Sequence, residues 1–544
     1  MTEPNGGTFD VVILGGGSGG YAAALRAAQL NLSVALIEKG KLGGTCLHNG
    51  CIPTKALLHA AEIADQTRES AQFGVKAELV GIDMSGVNAY KDGVISRLYK
   101  GLQGLIKSAK ITYVEGHGRL VGPDTVEVDG RRYTGRNVVL ATGSYARTLP
   151  GLTIDGERVI TSDHALTLDR VPASAIVLGG GVIGVEFASI WKSFGVDVTI
   201  IEALPRLVAA EDEESSKALE RAFRKRGIAF SVGKRFEKVE YTDSGVRVTI
   251  EGGRTFEAEL LLVAVGRGPN TAGLGYEEQG IRLDRGYVLT DERLRTGVAN
   301  IYAVGDIVPG LQLAHRGFQQ GIFVAEEIAG LNPAVIDEAG IPRVTYSDPE
   351  LASVGLTEAR AKERYGADKI ATYTYNLGGN GKSQILRTAG FVKLVRVVDG
   401  PVVGVHMVGA RLGELVGEAQ LIVNWEAYPA EVAQLIHAHP TQAEALGEAH
   451  LALAGLALAG LVLAEMTRDD ALERRAPRGL LGFRPEQHCA GGDDQRRRRQ
   501  YQCQRRRAHQ RRRPQNPPPR PSSGSSCRVG RYASRRCASL GVCG

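Results

Sequence analysis

The chain has 544 residues, room for three or four domains, since single hydrophobic cores rarely grow past ~250 residues. Its formal net charge of +6 is unevenly placed: 20 of its 66 basic and 6 of its 60 acidic residues lie from Thr467 onward, leaving 46 bases against 54 acids before it. The body is therefore mildly acidic, which excludes a general pull toward nucleic acid. Only two of the seven cysteines lie in it, which excludes a secreted disulfide framework there.

No positive patch followed by an apolar run opens the chain, so no signal peptide is expected. The longest apolar stretch, residues 451–464, has 14 residues against the ~20 that cross a bilayer. A cytoplasmic protein with no membrane role is expected. In that compartment two cysteines five positions apart point to chemistry.

Residues 11–38 read VVILGGGSGGYAAALRAAQLNLSVALIE: an apolar strand, a glycine turn, a helix, a second strand and an acid. Gly15 permits the turn, Gly17 lets backbone approach a pyrophosphate, and Gly20 lets helix pack on strand. The diphosphate then meets the unpartnered N–H groups of the helix end, and Glu38 accepts from ribose hydroxyls.

Directly afterwards, residues 43–55 read GGTCLHNGCIPTK and place Cys46 and Cys51 at the start of a helix running on through 56–63. Thiolates are favoured at helix N-termini, and a short C-x4-C loop can close as a strained, reducible disulfide. Two buried structural cysteines or half a zinc site are the alternatives. Zinc lacks a second Cys/His cluster, so no metal is expected. Lys55, within one helical turn, is either solvated or a cation near a flavin, with Glu186 as its charge partner.

The first unit recurs at 175–202 as AIVLGGGVIGVEFASIWKSFGVDVTIIE, with every landmark displaced by 164: Gly179, Gly181, Gly184 and Glu202. One glycine turn is weak evidence; two complete units predict two dinucleotide sites. Glu202 repels a 2′-phosphate and favours NAD over NADP, although Arg206 stands close in sequence. Residues 300–306, NIYAVGD, end a strand at Asp306, which either caps a helix or holds the ribityl chain of FAD in the first site. Residues 436–444 read IHAHPTQAE. There His439 and Glu444 form either a capped loop or an acid–base dyad, in which the carboxylate orients an imidazole that moves protons for a thiol. The cysteine pair needs such a base, and His48 is the only local rival.

These segments resemble the flavoprotein disulfide reductases, most nearly their dihydrolipoyl dehydrogenase branch, from about Phe9 to Gly455. The resemblance rests on GGTC…GCIPTK, on ATGS (Ala141, Thr142, Gly143, Ser144), on GGGVIGVE, on VAVGRGPN with Gly266, on YAVGD and on HAHPTQAEALGEAHLALAG. It implies an α/β fold with two Rossmann-like dinucleotide-binding domains and a C-terminal α+β dimerisation domain. Their expected bounds are 1–150 for FAD, 151–276 for NAD, 277–343 for a central domain completing the FAD site, and 344–466 for the interface of a homodimer. Ala314 and His315 join the implied cofactor contacts. By the same resemblance Cys46 exchanges with the lipoyl sulfur and Cys51 sits against the flavin. His439 of one subunit takes the proton from dihydrolipoamide at the other's cysteines, and Glu444 holds it. Electrons then pass from dithiol to disulfide to FAD to NAD⁺. The implied partner is a lipoyl-bearing acyltransferase or lipoyl carrier protein of a 2-oxo acid dehydrogenase or glycine-cleavage complex.

Among the cousins, Glu202 argues against glutathione reductase. His439 and the non-adjacent Cys527, Cys537 and Cys543 argue against mercuric reductase. Another disulfide reductase or a quinone reductase is the remaining alternative. His48 and Asn49 depart from the common loop pattern and bear on its packing. Beyond Gly455 the pattern stops, and residues 467–544, rich in Arg, Pro and Ser, predict a disordered tail. Arginine without lysine follows from a GC-rich gene read out of frame near residues 455–456. An arginine-rich arm recruiting nucleic acid or an acidic partner is the alternative.

Overall fold

The computed structural model describes residues 5–456; the tail expected at 467–544 and the stretch 457–466 lie outside the described residues. The chain opens with β1 (Asn5–Leu14), α1 (Ser18–Gln29) and β2 (Val34–Glu38), the order read from the first glycine unit. Val11, Val12, Ile13 and Leu14 are buried in succession, as a strand covered on both faces requires. After α2 (Cys51–Glu69) and a long helix at Met84–Ser108 the chain returns as β3 (Arg131–Leu140), parallel to β1 with Leu14 opposite Leu140.

The second unit repeats the plan with β4 (Ser174–Leu178), α3 (Val182–Ser193), β5 (Asp197–Ile201) and β6 (Leu260–Val263). Its five-stranded sheet runs Ala229–Ser231, β5, β4, β6, Val159–Ile160, all parallel. The chain then goes back to the first sheet. There β7 (Ile301–Ala303) pairs in parallel with β3, and α4 (Ala314–Ile328) lies along α1. That crossing is close: a Cβ on Gly321 would stand 2.2 Å from the Gly19 carbonyl oxygen. Residues 274–325 share one hydrophobic core with residues 11–141, from Val11 and Leu36 to Tyr276 and Phe323. The segment expected at 277–343 thus contributes a strand and a helix to the first unit and makes no separate core cluster.

The last unit is a five-stranded antiparallel sheet ordered Arg343–Thr345, Glu350–Gly355, Val402–Gly409, Phe391–Val397, Ile370–Asn376, covered by helices that end in α5 (Glu444–Leu453). A first sheet that is parallel apart from an antiparallel hairpin at residues 119–128, a second parallel sheet, their flanking helices and the antiparallel last sheet make the α/β plus α+β architecture expected from the sequence. Helix α2 ties these units together, because Leu57 and Ala61 pack into the second unit's core beside Val185 and Ala188 of α3. Among the described residues no helix is long and apolar enough to cross a membrane.

Candidate active site

Each glycine turn is built by steric necessity. Gly15 has φ +110°, and a Cβ there would lie 2.2 Å from the Ala141 carbonyl oxygen; a Cβ on Gly20 would lie 1.8 Å from that of Gly15. Gly179 and Gly184 repeat both contacts in the second unit, so strand, turn and helix can close up only without side chains. Gly17 and Gly181 differ: a Cβ on either would meet no protein atom within 4 Å. Each stands just before a helix whose cap has no side-chain hydrogen bond. That is open room beside unpartnered N–H donors, and it fits a dinucleotide diphosphate at both turns.

The closing acids do more than the sequence implied. Glu38 accepts from Gly16 N at 2.6 Å and Gly40 N at 2.8 Å; Glu202 accepts from Gly180 N at 2.5 Å and Leu204 N at 2.7 Å. Each carboxylate therefore clamps its own turn and still has lone pairs for a ribose. Arg206 does not answer Glu202. Its guanidinium donates to the carbonyls of Ala209 (2.7 Å) and Glu211 (3.0 Å) and to Ser216 Oγ (3.2 Å). The NADP alternative left open by its proximity thus loses its cation.

Cys46 sits in a short helix, Gly44–His48, and Cys51 opens α2; both are free thiols, partly buried. The pair is unequal. The hydrogen bond from Cys46 pulls the Cys51 thiol down to about 7, against the effect of burial and with help from the Lys55 ammonium. Donating that bond, together with burial, pushes the Cys46 thiol up. Lys55 Nζ lies 3.0 and 2.8 Å from the two carboxylate oxygens of Glu186, which is 2% exposed. Burial works against the lysine's charge, but Glu186 holds its pKa above the ordinary value. Tyr21 of α1 went unremarked in the sequence. Burial and the two cysteines push its phenol up to about 12, which puts it beside the pair, and only its place just after the glycine turn signalled this.

Asp306 caps no helix with its side chain; it accepts from Ser144 Oγ at 2.5 Å, and Arg267 Nε donates to the same hydroxyl at 2.7 Å. The ATGS segment is fastened to VAVGRGPN as well. Thr142 Oγ1 donates to the Asn270 carbonyl (2.7 Å), Asn270 N donates to the Gly143 carbonyl (2.9 Å), and Arg147 N to that of Gly266 (3.0 Å). Ala141 N donates to the Leu14 carbonyl (2.7 Å) at the base of the first turn. Ala314 starts α4, whose first turn meets that of α1: a Cβ on Gly317 would lie 3.0 Å from Ser18 Oγ. His315 is exposed and its Nε2 donates to the Pro342 carbonyl at 2.8 Å.

His439 Nδ1 lies 2.7 Å from Glu444 Oε1, and Glu444 Oε2 accepts from Thr441 N at 2.8 Å, so the dyad is formed. The His439 side chain is 76% exposed, and within one chain it makes no hydrogen bond or ion pair with Cys46 or Cys51. The local rival is tied down: His48 Nε2 donates to the Leu42 carbonyl at 2.9 Å, and its ring packs edge-on against Tyr99. Among the described residues no group of three or more His, Cys, Asp or Glu is placed to hold a metal.

Two dinucleotide cradles flanking an unequal cysteine pair define an enzyme that moves electrons between a nucleotide and a disulfide. Residues 9–321 match the pyridine nucleotide-disulphide oxidoreductase family and residues 341–450 its dimerisation domain. A dihydrolipoyl dehydrogenase of Bacillus subtilis (strain 168) is 43% identical over 469 residues, covering 82% of this chain and 98% of that one. The mitochondrial dihydrolipoyl dehydrogenase of Pisum sativum is 38% identical over 457 residues, 81% of this chain and 91% of that one. Among solved structures, LpdA from Mycobacterium tuberculosis superposes with a TM-score of 0.77 at 29% identity, covering 81% of this chain and 99% of that one. The flavoprotein disulfide reductase RclA from Escherichia coli superposes with a TM-score of 0.74 at 26% identity, covering 82% and 100%. The chain belongs to the pyridine nucleotide-disulphide oxidoreductase family, and its cofactors are FAD and NAD.

Proposed function

We propose that the chain is a dihydrolipoyl dehydrogenase, oxidising protein-bound dihydrolipoamide to lipoamide with NAD⁺. The observation that carries this reading is the unequal cysteine pair beside the first cradle, with Lys55 at the stabilised thiol. FAD fits the cradle of Gly15, Gly17, Gly20 and Glu38, completed by Ala141, Thr142, Gly143, Ser144, Asp306 and the end of α4 at Ala314 and His315. NAD fits that of Gly179, Gly181, Gly184 and Glu202, with Gly266 at its edge. When bound, the two cofactors relay the electron pair from the reduced cysteines to nicotinamide.

The asymmetry of the pair supports different roles for the two sulfurs. A lipoyl thiolate attacks Cys46 Sγ, the Cys46–Cys51 bond breaks, and Cys51 leaves as the thiolate that Lys55 favours; a leaving thiol of lower pKa departs faster. The second lipoyl thiol gives its proton to a base and attacks the lipoyl sulfur held on Cys46. That closes lipoamide and releases Cys46, which takes a proton back from the base. One proton goes to water, because Cys51 stays ionised. His439, held by Glu444, is the base. Its exposure and its lack of any tie to the cysteines of its own chain favour delivery across the dimer, by His439 of the partner subunit. The chain carries a dimerisation domain to make that possible. The matching protein substrate is a lipoyl-bearing acyltransferase or lipoyl carrier protein of a 2-oxo acid dehydrogenase or glycine-cleavage complex, and a cysteine pair that cycles through its dithiol suits a reducing cytoplasm.

Mixing two inactive variants tests both claims. Dimers of Cys46→Ser with His439→Gln hold one intact site only if the histidine is delivered in trans. After subunit exchange about a quarter of wild-type lipoamide turnover returns, from random pairing of a two-fold dimer. No recovery, from variants that each exchange and bind FAD, would refute trans delivery. A flavin that NADH reduces but dihydrolipoamide does not would move the substrate to another disulfide or a quinone.

A further inference from the structure

The ion pair that serves Cys51 is not closed by the two helices that carry it. Lys55 comes from α2 and Glu186 from α3, but a third wall comes from Tyr346, just after the first strand of the C-terminal sheet. Its backbone N–H donates to Glu186 Oε1 at 2.9 Å, and the centre of its ring lies 4.9 Å from Lys55 Nζ. Glu186, almost fully buried, is thereby fixed by one backbone donor and one ammonium. The ammonium has three attractive neighbours: the carboxylate, the ring face and the Cys51 sulfur. A ring face draws a cation through its quadrupole, and here it adds a third attraction at the end of a flexible four-carbon stem.

We propose that Tyr346 is a positioning residue: its ring holds the Lys55 ammonium against Glu186 and Cys51, so that the C-terminal interface unit helps set which cysteine is ionised. The inference rests on the redox-pair reading above. The titratable and charged groups around the pair are Tyr21 from α1, Cys46 from the redox loop, Asp306 after β7, Glu186 from α3, and Tyr346 with its neighbours Glu350 and Glu414 from the C-terminal unit. Burial raises both phenols above the ordinary tyrosine value, so neither changes charge where the Cys51 thiol does. Removing the ring leaves every other one of these groups in place and frees the ammonium.

The test is the pH dependence of iodoacetamide alkylation of the reduced, FAD-loaded dimer, with the modified cysteine mapped by mass spectrometry. Wild type should show a half-point near pH 7. Tyr346→Leu should move it up by about half a pH unit, the size of a cation–π contact at a partly exposed site. Tyr346→Phe, which keeps the ring face, should superimpose on wild type. A role confined to packing would lower the stability of the Leu variant and leave its half-point where it was, and that result overturns the proposal. If the Leu variant does not fold, Tyr346→Met, a flexible side chain without a ring, carries the same test. Should wild type itself show no pH-dependent alkylation of either cysteine, the redox-pair reading falls, and this outcome is distinct from an unmoved half-point in the variants.

Discussion

Replacing Lys55 by Met separates two consequences of its ion pair. Glu186 is 2% exposed, and once the ammonium is gone its carboxylate keeps only the Tyr346 N–H among the contacts described above. Breaking a fully buried pair from one side costs ~3–5 kcal/mol. The Lys55 side chain is 34% exposed, so the pair is not fully buried, and the expected loss falls to about 2 kcal/mol. Lys55→Met with Glu186→Leu should recover most of that, because no unpaired charge is left behind. The thiol responds in its own way. Cys51 is an acid whose pKa is lowered in the fold to about 7, so its thiolate stabilises the fold above the unfolded thiol value of ~8.5, and that contribution fades as pH falls through 7. The gap between wild type and Lys55→Met should therefore be wider at pH 9 than at pH 6. Urea unfolding of the FAD-loaded dimer at both pH values, with alkylation profiles alongside, measures each component. If the Lys55→Met midpoint and half-point both match wild type, Lys55 is merely solvated and the electrostatic account of Cys51 is wrong.

The other predictions concern the pair, the base and the second cradle. Cys46→Ala removes the donor to Cys51 and should raise its half-point from about 7 toward ~8.5. Cys46→Ser still donates and should stay nearer 7, and both should abolish lipoamide turnover. His439→Gln should cut dihydrolipoamide oxidation by ~10²-fold or more while leaving NADH oxidation by a one-electron dye untouched; equal loss of both rates would make the residue structural. Gly181→Ala should fold with unchanged stability, since its Cβ meets no protein atom, yet raise KM for NAD⁺ about tenfold by filling the cradle. Gly184→Ala, with its Cβ 1.9 Å from the Gly179 carbonyl oxygen, should lose soluble expression, and a well-folded Gly184→Ala protein would show that the turn can open.

Much of this was legible because it is local. A strand, glycine turn, helix and acid follow one another within 28 residues, so the order alone marks Gly15, Gly20, Gly179 and Gly184, even though the Ala141 and Ala264 carbonyls that exclude side chains at Gly15 and Gly179 come from distant strands. The C-x4-C loop and His439 with Glu444 are equally short-range. What stayed hidden joins distant segments. Nothing near Tyr346 announces that its N–H will reach Glu186, 160 residues earlier. Asp306 was ambiguous for the same reason, since a strand-ending Asp finds its hydroxyl, Ser144, 162 residues away. Arg206 is the local exception: its carbonyl partners, Ala209 and Glu211, are close in sequence, but residue type alone does not show the chain turning back on it.

The meeting of α1 and α4 has a consequence for how long each nucleotide stays. Around the first turn Gly19 is buried against Val304 and α4, and Ser18 is partly covered by the first turn of α4, while Gly17 faces open room. Around the second, Gly181 and Val182 are exposed, and no helix corresponding to α4 lies over them among the described residues. Because Glu38 and Glu202 already hold both turns in shape, neither nucleotide has to fold its own receptor, and the difference between the sites is one of escape route. A group held at the first would lie beside that packed helix pair and be the better shielded of the two. One held at the second would face the open side, as suits a coenzyme consumed at every turnover.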